Sequence, residues 1–352
     1  MSKRIPVTIL SGFLGSGKTT IIRKILQEGN NKLAVMINEF GNVGIDGDLI
    51  RTCGMCPEEE IEGRLVELNN GCLCCTVQDD FLPVMESLLS QKYLLDGILI
   101  ETSGLALPEP LIQALEWPEI RSKVVINGLV TIVDGEAYSK GSPVSDLSLI
   151  EEQRANDDNL DHITSINELF TDQLKYADLV LVSKSDKISS NCFNNINKLL
   201  LQKVRKNTPI LPMGIEDIPS SIILGIGNTQ LSMTTESNLI SNQEHLHEHK
   251  HLQVSSGCIR LDINLNRSLL ESRLPKLSKK YNILRLKGRL WLKDKELPLQ
   301  VQMVGPRINF WFERAPRNSW RPEDSGIELV VLSLDSMATE KIEQELMEVA
   351  LD

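Results

Sequence analysis

The sequence has no apolar run of the roughly 18 residues a helix needs to cross a bilayer. No secretory leader is expected at its start either. The opening MSKRIPVTILSGF passes from basic residues straight into a short strand-like run and a glycine-rich loop, with no cleavage-like end. A cytoplasmic protein is expected. A basic excess is missing as well: the formal net charge is -11, which argues against nucleic-acid binding that rests on Lys and Arg contacts to phosphates. The dispersed cysteine framework of a secreted disulfide scaffold is absent too. Of seven cysteines, Cys53, Cys56, Cys72, Cys74 and Cys75 fall within 23 residues, with Cys192 and Cys258 apart. Clustered thiols in a reducing compartment point to metal binding or redox chemistry. No internal repeat is visible. At 352 residues the chain is too long for one ordinary core, so two domains are expected.

Short aliphatic and β-branched runs recur at 5–10, 33–37, 64–68, 97–101, 128–134, 178–183 and 209–213. Their near-continuous apolarity suits strands buried on both faces, and the polar stretches between them, such as 18–27, 79–89 and 194–206, suit helices. This predicts an α/β domain over 1–232 with a mostly parallel sheet. Residues 234–253 are polar and carry His245, His247, His249 and His251 at alternate positions, so 233–254 reads as a solvated linker. Beyond it, strands at 257–265, 284–292, 299–304, 308–313 and 327–334, with helices at 268–281 and 339–351, make 255–352 a small α+β domain.

The first strand runs into Gly12-Phe13-Leu14-Gly15-Ser16-Gly17-Lys18-Thr19, which satisfies the phosphate-loop pattern in its required place between strand and helix. Glycines let the backbone wrap a phosphate chain with its N–H groups inward, and the following helix brings its positive end. The binding stretch comprises Gly12, Gly15, Ser16, Gly17, Lys18, Thr19 and Thr20. Lys18 is expected to neutralise the β- and γ-phosphates and the Thr19 hydroxyl to ligate Mg²⁺. Strand 97–101 ends in Glu101-Thr102-Ser103-Gly104, where α/β sheets place ligands. Gly104 is placed to offer its N–H to a γ-phosphate and Glu101 to orient water; a plain strand-to-helix turn is the alternative. With Lys18, these two form the expected catalytic set.

After strand 178–183, Lys184-Ser185-Asp186 offers a carboxylate for the two donors of guanine's edge and a lysine stem to cover the base. Ser183 stands where guanine-specific proteins usually have Asn. Between strand 64–68 and the helix near 79 lies Gly71-Cys72-Leu73-Cys74-Cys75-Thr76. Thiols at i, i+2 and i+3 converge from a turn, and three thiolates suit Zn²⁺, Co²⁺ or Cu⁺. Structural zinc or merely reduced cysteines fit the same spacing. Cys53 and Cys56 add ligands or form a minor site.

The chain resembles the CobW-type metallochaperone GTPases, a P-loop family with a thiol motif between its nucleotide-binding elements. The stretches that carry the resemblance are TILSGFLGSGKTT, INEFGNVGIDGDL, NNGCLCCTVQDDF, IETSGLALPEPL, VDG, FTDQLKYADLVLVSKSD and the segment from about 255. The stretches CGMCPEEEIEGRLVELNNGCLCC and ETSGLALPEPLIQALEWPEIR bring it closest to the branch tied to cobalt insertion in cobalamin synthesis. The resemblance implies GTP and Mg²⁺ as ligands, metal on Cys72, Cys74 and Cys75, Glu39 and Asp46 in a switch region, and a histidine-rich loading segment. It implies Co²⁺ as cargo and a cobaltochelatase as client. Rival readings are Zn²⁺ delivered to zinc-dependent metalloenzymes, a non-catalytic metal sensor or buffer, and a small-molecule kinase.

Overall fold

A computed structural model describes residues 3–28, 32–38, 65–68, 81–90, 95–155, 164–214, 219–225, 254–293, 295–317 and 319–350. The chain divides into two compact units, Ser2–Glu216 and Asp217–Asp352 together with Met1. No helix among the described residues is long and apolar enough to cross a membrane.

The first unit is built on strands β1 (Ile5–Ser11), β2 (Leu33–Asn38), β3 (Leu65–Leu68), β4 (Gly97–Glu101), β5 (Val124–Asp134), β6 (Leu179–Ser183) and β7 (Ile210–Pro212). They form one sheet in the order β3-β2-β4-β1-β5-β6-β7, with every pairing parallel. A wholly parallel sheet buries both faces, and every residue of β4, β5 and β6 is buried. The crossovers carry α1 (Lys18–Gln27), α2 (Leu82–Ser90), α3 (Pro108–Leu115), α4 (Pro118–Arg121), α5 (Gly135–Ser139), α6 (Leu147–Ala155), α7 (Ile166–Tyr176) and α8 (Ser190–Leu201). Parallel strands point all their carboxyl ends to one sheet edge, so the turns after β1, β4, β5 and β6 meet there.

Strand β5 starts four residues before the predicted run because Asn127-Gly128 interrupts the apolar pattern. The register against β1 shifts at this point, Gly128 takes φ 145°, and the buried Asn127 amide donates to Thr8 Oγ1 at 2.8 Å. At the entry to β6, Asp178 accepts from the Leu129 N–H at 2.8 Å and pairs with Arg205. That buried carboxylate ties β5 to β6.

The second unit opens with the short helix α9 (Ser220–Leu224). It continues with β8 (Ser255–Leu261), α10 (Arg267–Lys280), β9 (Ile283–Trp291), β10 (Leu299–Val304), β11 (Arg307–Phe312), β12 (Gly326–Ser333) and α11 (Ala338–Ala350). Its five strands pair antiparallel in the order β11-β10-β9-β12-β8. Leu286, Leu290, Val301, Met303, Leu329 and Val331 alternate onto the face that packs with Leu270, Leu274 and Ile342 of the helices. The opposite face is polar yet largely buried. One row across it runs Trp311, Gln300, Arg289, Glu328, Arg260, and Glu328 sits between Arg289 at 2.8 Å and Arg260 at 3.0 Å. Arg285, on that face, donates to the carbonyls of Ile222 and Ile223, so α9 belongs to this unit. The linker expected at 233–254 lies, except for Val254, outside the described residues.

Candidate active site

The loop after β1 takes the backbone form that only glycine permits cheaply. Gly12, Gly15 and Gly17 have φ of 137°, 70° and 104°, and a Cβ on Gly12 would lie 2.3 Å from the Ile132 carbonyl oxygen. Gly17 caps α1, which then begins at Lys18 with its positive end facing the loop. The Lys18 ammonium curls back to the carbonyls of Gly12 at 2.8 Å and Phe13 at 3.2 Å, so the cation sits inside the ring of loop peptides. Ser16 is buried with its hydroxyl unpartnered among the described residues. Thr19 is half-buried and Thr20 exposed. A cation at the loop's centre, an unused buried hydroxyl and a wrapped backbone fit a phosphate chain, and the Thr19 hydroxyl at the helix start fits an accompanying Mg²⁺.

Strand β4 delivers Glu101, buried at the strand end and in register with Leu10 of β1 and Ile37 of β2. The turn after it is stitched to β1 through the Thr102 N–H, which donates to Leu10 O at 2.9 Å. Gly104 then abuts the phosphate loop: a Cβ there would lie 2.8 Å from the Leu14 nitrogen. The structure thus brings Lys18, Glu101 and Gly104 to one sheet edge.

The turn that carries Lys184 and Asp186 follows β6. Ser183 Oγ donates to Val133 O at 3.2 Å, and its Cβ is 3.9 Å from where a Cβ on Gly17 would be. Ser183 therefore spends its hydroxyl on β5. Lys184 adopts the left-handed conformation, φ 54° and ψ 31°, and Asp186 is exposed. The Lys184 ammonium lies 2.5 Å from Asp134 Oδ2. Asp134, buried at the end of β5, also caps α5 by accepting from the Ala137 N–H at 3.0 Å. Beside it, half-buried Glu136 is held below the usual carboxylate range, first by its hydrogen bond with Lys140 and then by that cation's charge.

Two residues at this edge escape the sequence reading. Asp134 ends a buried strand, as Glu101 does, and is followed directly by Gly135. Gln173 lies on the buried face of α7 with Leu169, Phe170 and Leu174; a polar residue on an apolar stripe was the available signal. Its amide donates to Gly104 O at 3.0 Å and Ala106 O at 3.1 Å. The expected metal ligands Cys72, Cys74 and Cys75 lie outside the described residues, as do Cys53, Cys56, Glu39, Asp46 and His245 to His251. Among the described residues no group of three His, Cys, Asp or Glu is placed to hold a metal.

Residues 6–212 match the CobW/HypB/UreG nucleotide-binding domain, and residues 254–350 match the cobalamin synthesis protein CobW C-terminal domain. A zinc chaperone CobW of Sinorhizobium sp is 38% identical over 95% of this chain and 94% of its own length. A zinc chaperone CobW of Pseudomonas aeruginosa is 39% identical over 88% of this chain and 83% of its own. A zinc-regulated GTPase metalloprotein activator 1 of Schizosaccharomyces pombe is 35% identical over 56% of this chain and 43% of its own. These matches cover both units with the phosphate loop included: the chain belongs to the CobW/HypB/UreG family and is a P-loop GTPase of the metallochaperone class.

Proposed function

We propose that this protein is a cytoplasmic, GTP-hydrolysing chaperone that carries Zn²⁺ on Cys72, Cys74 and Cys75 and yields it to a zinc-dependent client enzyme. The observation that carries this reading is the topology of the nucleotide edge. β3 is parallel to β1, so the chain leaving Leu68 toward Cys72 departs from the edge that holds the phosphate loop and the Glu101–Gly104 turn.

In this reading Lys18 neutralises the β- and γ-phosphates, and the Gly104 N–H meets the γ-phosphate. Glu101, buried at the strand end, holds the attacking water. Bound at Thr19, Mg²⁺ would offset phosphate charge. Asp186 accepts from guanine while the Lys184 stem covers the base; with Ser183 turned to β5, discrimination against adenine rests on Asp186. Loss of the γ-phosphate loosens the cysteine-bearing loop and releases metal, an order–disorder switch. The limits 1–232, 233–254 and 255–352 serve as proposed domain boundaries, with α9 counted with the second unit that Arg285 ties it to.

The sequence pointed first to Co²⁺, a cobaltochelatase and cobalamin synthesis. Zinc is the better-supported cargo, because the relatives that match over most of this chain are named for it. Three thiolates accept either ion, so affinity alone does not choose between them. The test is the metal content of the protein isolated without chelators or oxygen from its own cells, grown with both metals supplied. Zinc in the isolated protein is the expected result; cobalt in its place would return the reading to cobalamin synthesis.

A further inference from the structure

We infer that Gln173 is a positioning residue for GTP turnover, setting the turn after β4 in the orientation that presents Gly104 to the γ-phosphate. The inference rests on the proposed role of Gly104. Ser103 O accepts from the Ala106 N–H at 3.1 Å, while Gly104 O and Ala106 O both accept from the Gln173 amide at 3.0 and 3.1 Å. The Gly104 N–H belongs to the Ser103–Gly104 peptide. With the carbonyls on both sides of Gly104 anchored, that peptide plane and its N–H direction are fixed.

The chemistry of the side chain points the same way. Gln173 is fully buried, and its Oε1 has no hydrogen-bond partner among the described residues. A buried acceptor left unmatched is costly. Leu or Met would fill the same space on α7 without that cost, so the amide's contribution is the pair of carbonyls it holds. Only an NH₂ group serves two carbonyl oxygens, which also fixes which way the amide faces.

The same helix grips the phosphate loop. One turn before Gln173, Phe170 meets Phe13 with ring centroids 6.0 Å apart, and Tyr138 also packs on Phe170 at 5.2 Å. Gly104 itself lies against the backbone of Phe13 and Leu14. Helix α7 thus fixes the γ-phosphate turn relative to the loop, and Gln173 is the polar half of that bracket. The consequence is specific: GDP lacks the group that Gly104 addresses, so Gln173 should matter for GTP and not for GDP.

The experiment uses the full chain with Mg²⁺ and measures GDP and GTPγS affinities plus single-turnover GTP hydrolysis. Gln173→Met keeps the volume and removes the donors. It should leave GDP affinity within about twofold of wild type, weaken GTPγS about tenfold and slow hydrolysis. Gln173→Glu sets a carboxylate against two carbonyl oxygens; its GTPγS affinity should recover as acid restores one donor, with no such trend in the wild type. Equal losses for GDP and GTPγS, or a GTPγS affinity unchanged in both variants, would overturn the inference. If Gln173→Met loses GDP binding through misfolding, the pH response of Gln173→Glu decides: a GTPγS-to-GDP ratio independent of pH overturns it. A wild type that gains nothing from the γ-phosphate would instead remove the proposed role of Gly104.

Discussion

Replacing Asp134 by Asn tests whether the end of β5 organises the turn proposed to read the base. Asn keeps an oxygen for the Ala137 N–H, so the cap of α5 survives, while the charge facing Lys184 is lost. Severing a fully buried ion pair costs about 3–5 kcal/mol, but the Lys184 side chain is 30% exposed and turns to water once its partner is neutral. The stability cost should therefore be nearer about 1 kcal/mol. The effect on binding has a different origin. A lysine no longer held must be ordered when the base arrives, which costs about 0.5–1.5 kcal/mol for a long side chain, or roughly 2- to 12-fold in affinity. Because the base is common to both nucleotides, GDP and GTPγS should weaken by the same factor, unlike in Gln173→Met. Titration with fluorescent GDP and GTPγS, alongside a thermal melt, reads both quantities. A folded Asp134→Asn protein with unchanged guanine affinity, or one that loses only GTPγS, would refute the reasoning.

Gly12→Ala should abolish nucleotide binding and lower stability by about 1–3 kcal/mol, since φ 137° and a Cβ 2.3 Å from Ile132 O cannot both be accommodated. Wild-type titration curves for that variant would show that the loop needs no such conformation. In the second unit, Glu328→Gln leaves Arg260 and Arg289 facing a neutral amide and should cost about 3 kcal/mol, read from urea unfolding. Trp291, Trp311 and Trp320 report on that unit by fluorescence, and a loss well under about 1 kcal/mol would mean the triad is dispensable.

What was legible in the sequence was whatever local pattern encodes. Buried parallel strands read as short aliphatic runs; among the described residues, all seven of the first unit are visible in the sequence, as are the five strands and the two longer helices of the second, but not the short α9. The glycines of the phosphate loop announced their left-handed turns. Helices α3 and α7 receive no bounds from the sequence, because each buries only one narrow stripe. The start of β5 was hidden because Asn127-Gly128 breaks its apolar run, and the Thr8 hydroxyl that satisfies Asn127 lies 119 residues away. Gln173 and Asp134 were missed for a related reason. Their partners are brought near by sheet order: Gly104 is 69 residues from Gln173, and Lys184 is 50 from Asp134. No local window carries that information. Serine at 183 departs visibly from the usual Asn, but only the bond to Val133 O shows where its hydroxyl goes.

The measurement closest to the central claim is Zn²⁺ affinity with Mg²⁺·GTPγS, with Mg²⁺·GDP and with no nucleotide, by competition against a chromophoric chelator. A γ-phosphate that orders the cysteine-bearing loop lowers the entropy of gathering three thiolates, and linkage requires zinc to tighten GTPγS binding by the same factor. Coupling of about 3 kcal/mol would make zinc roughly 150-fold tighter in the triphosphate state, and Ser in place of Cys74 or Cys75 should remove the difference. Equal zinc affinity in all three states would mean that the metal is structural, and the chaperone account would fail.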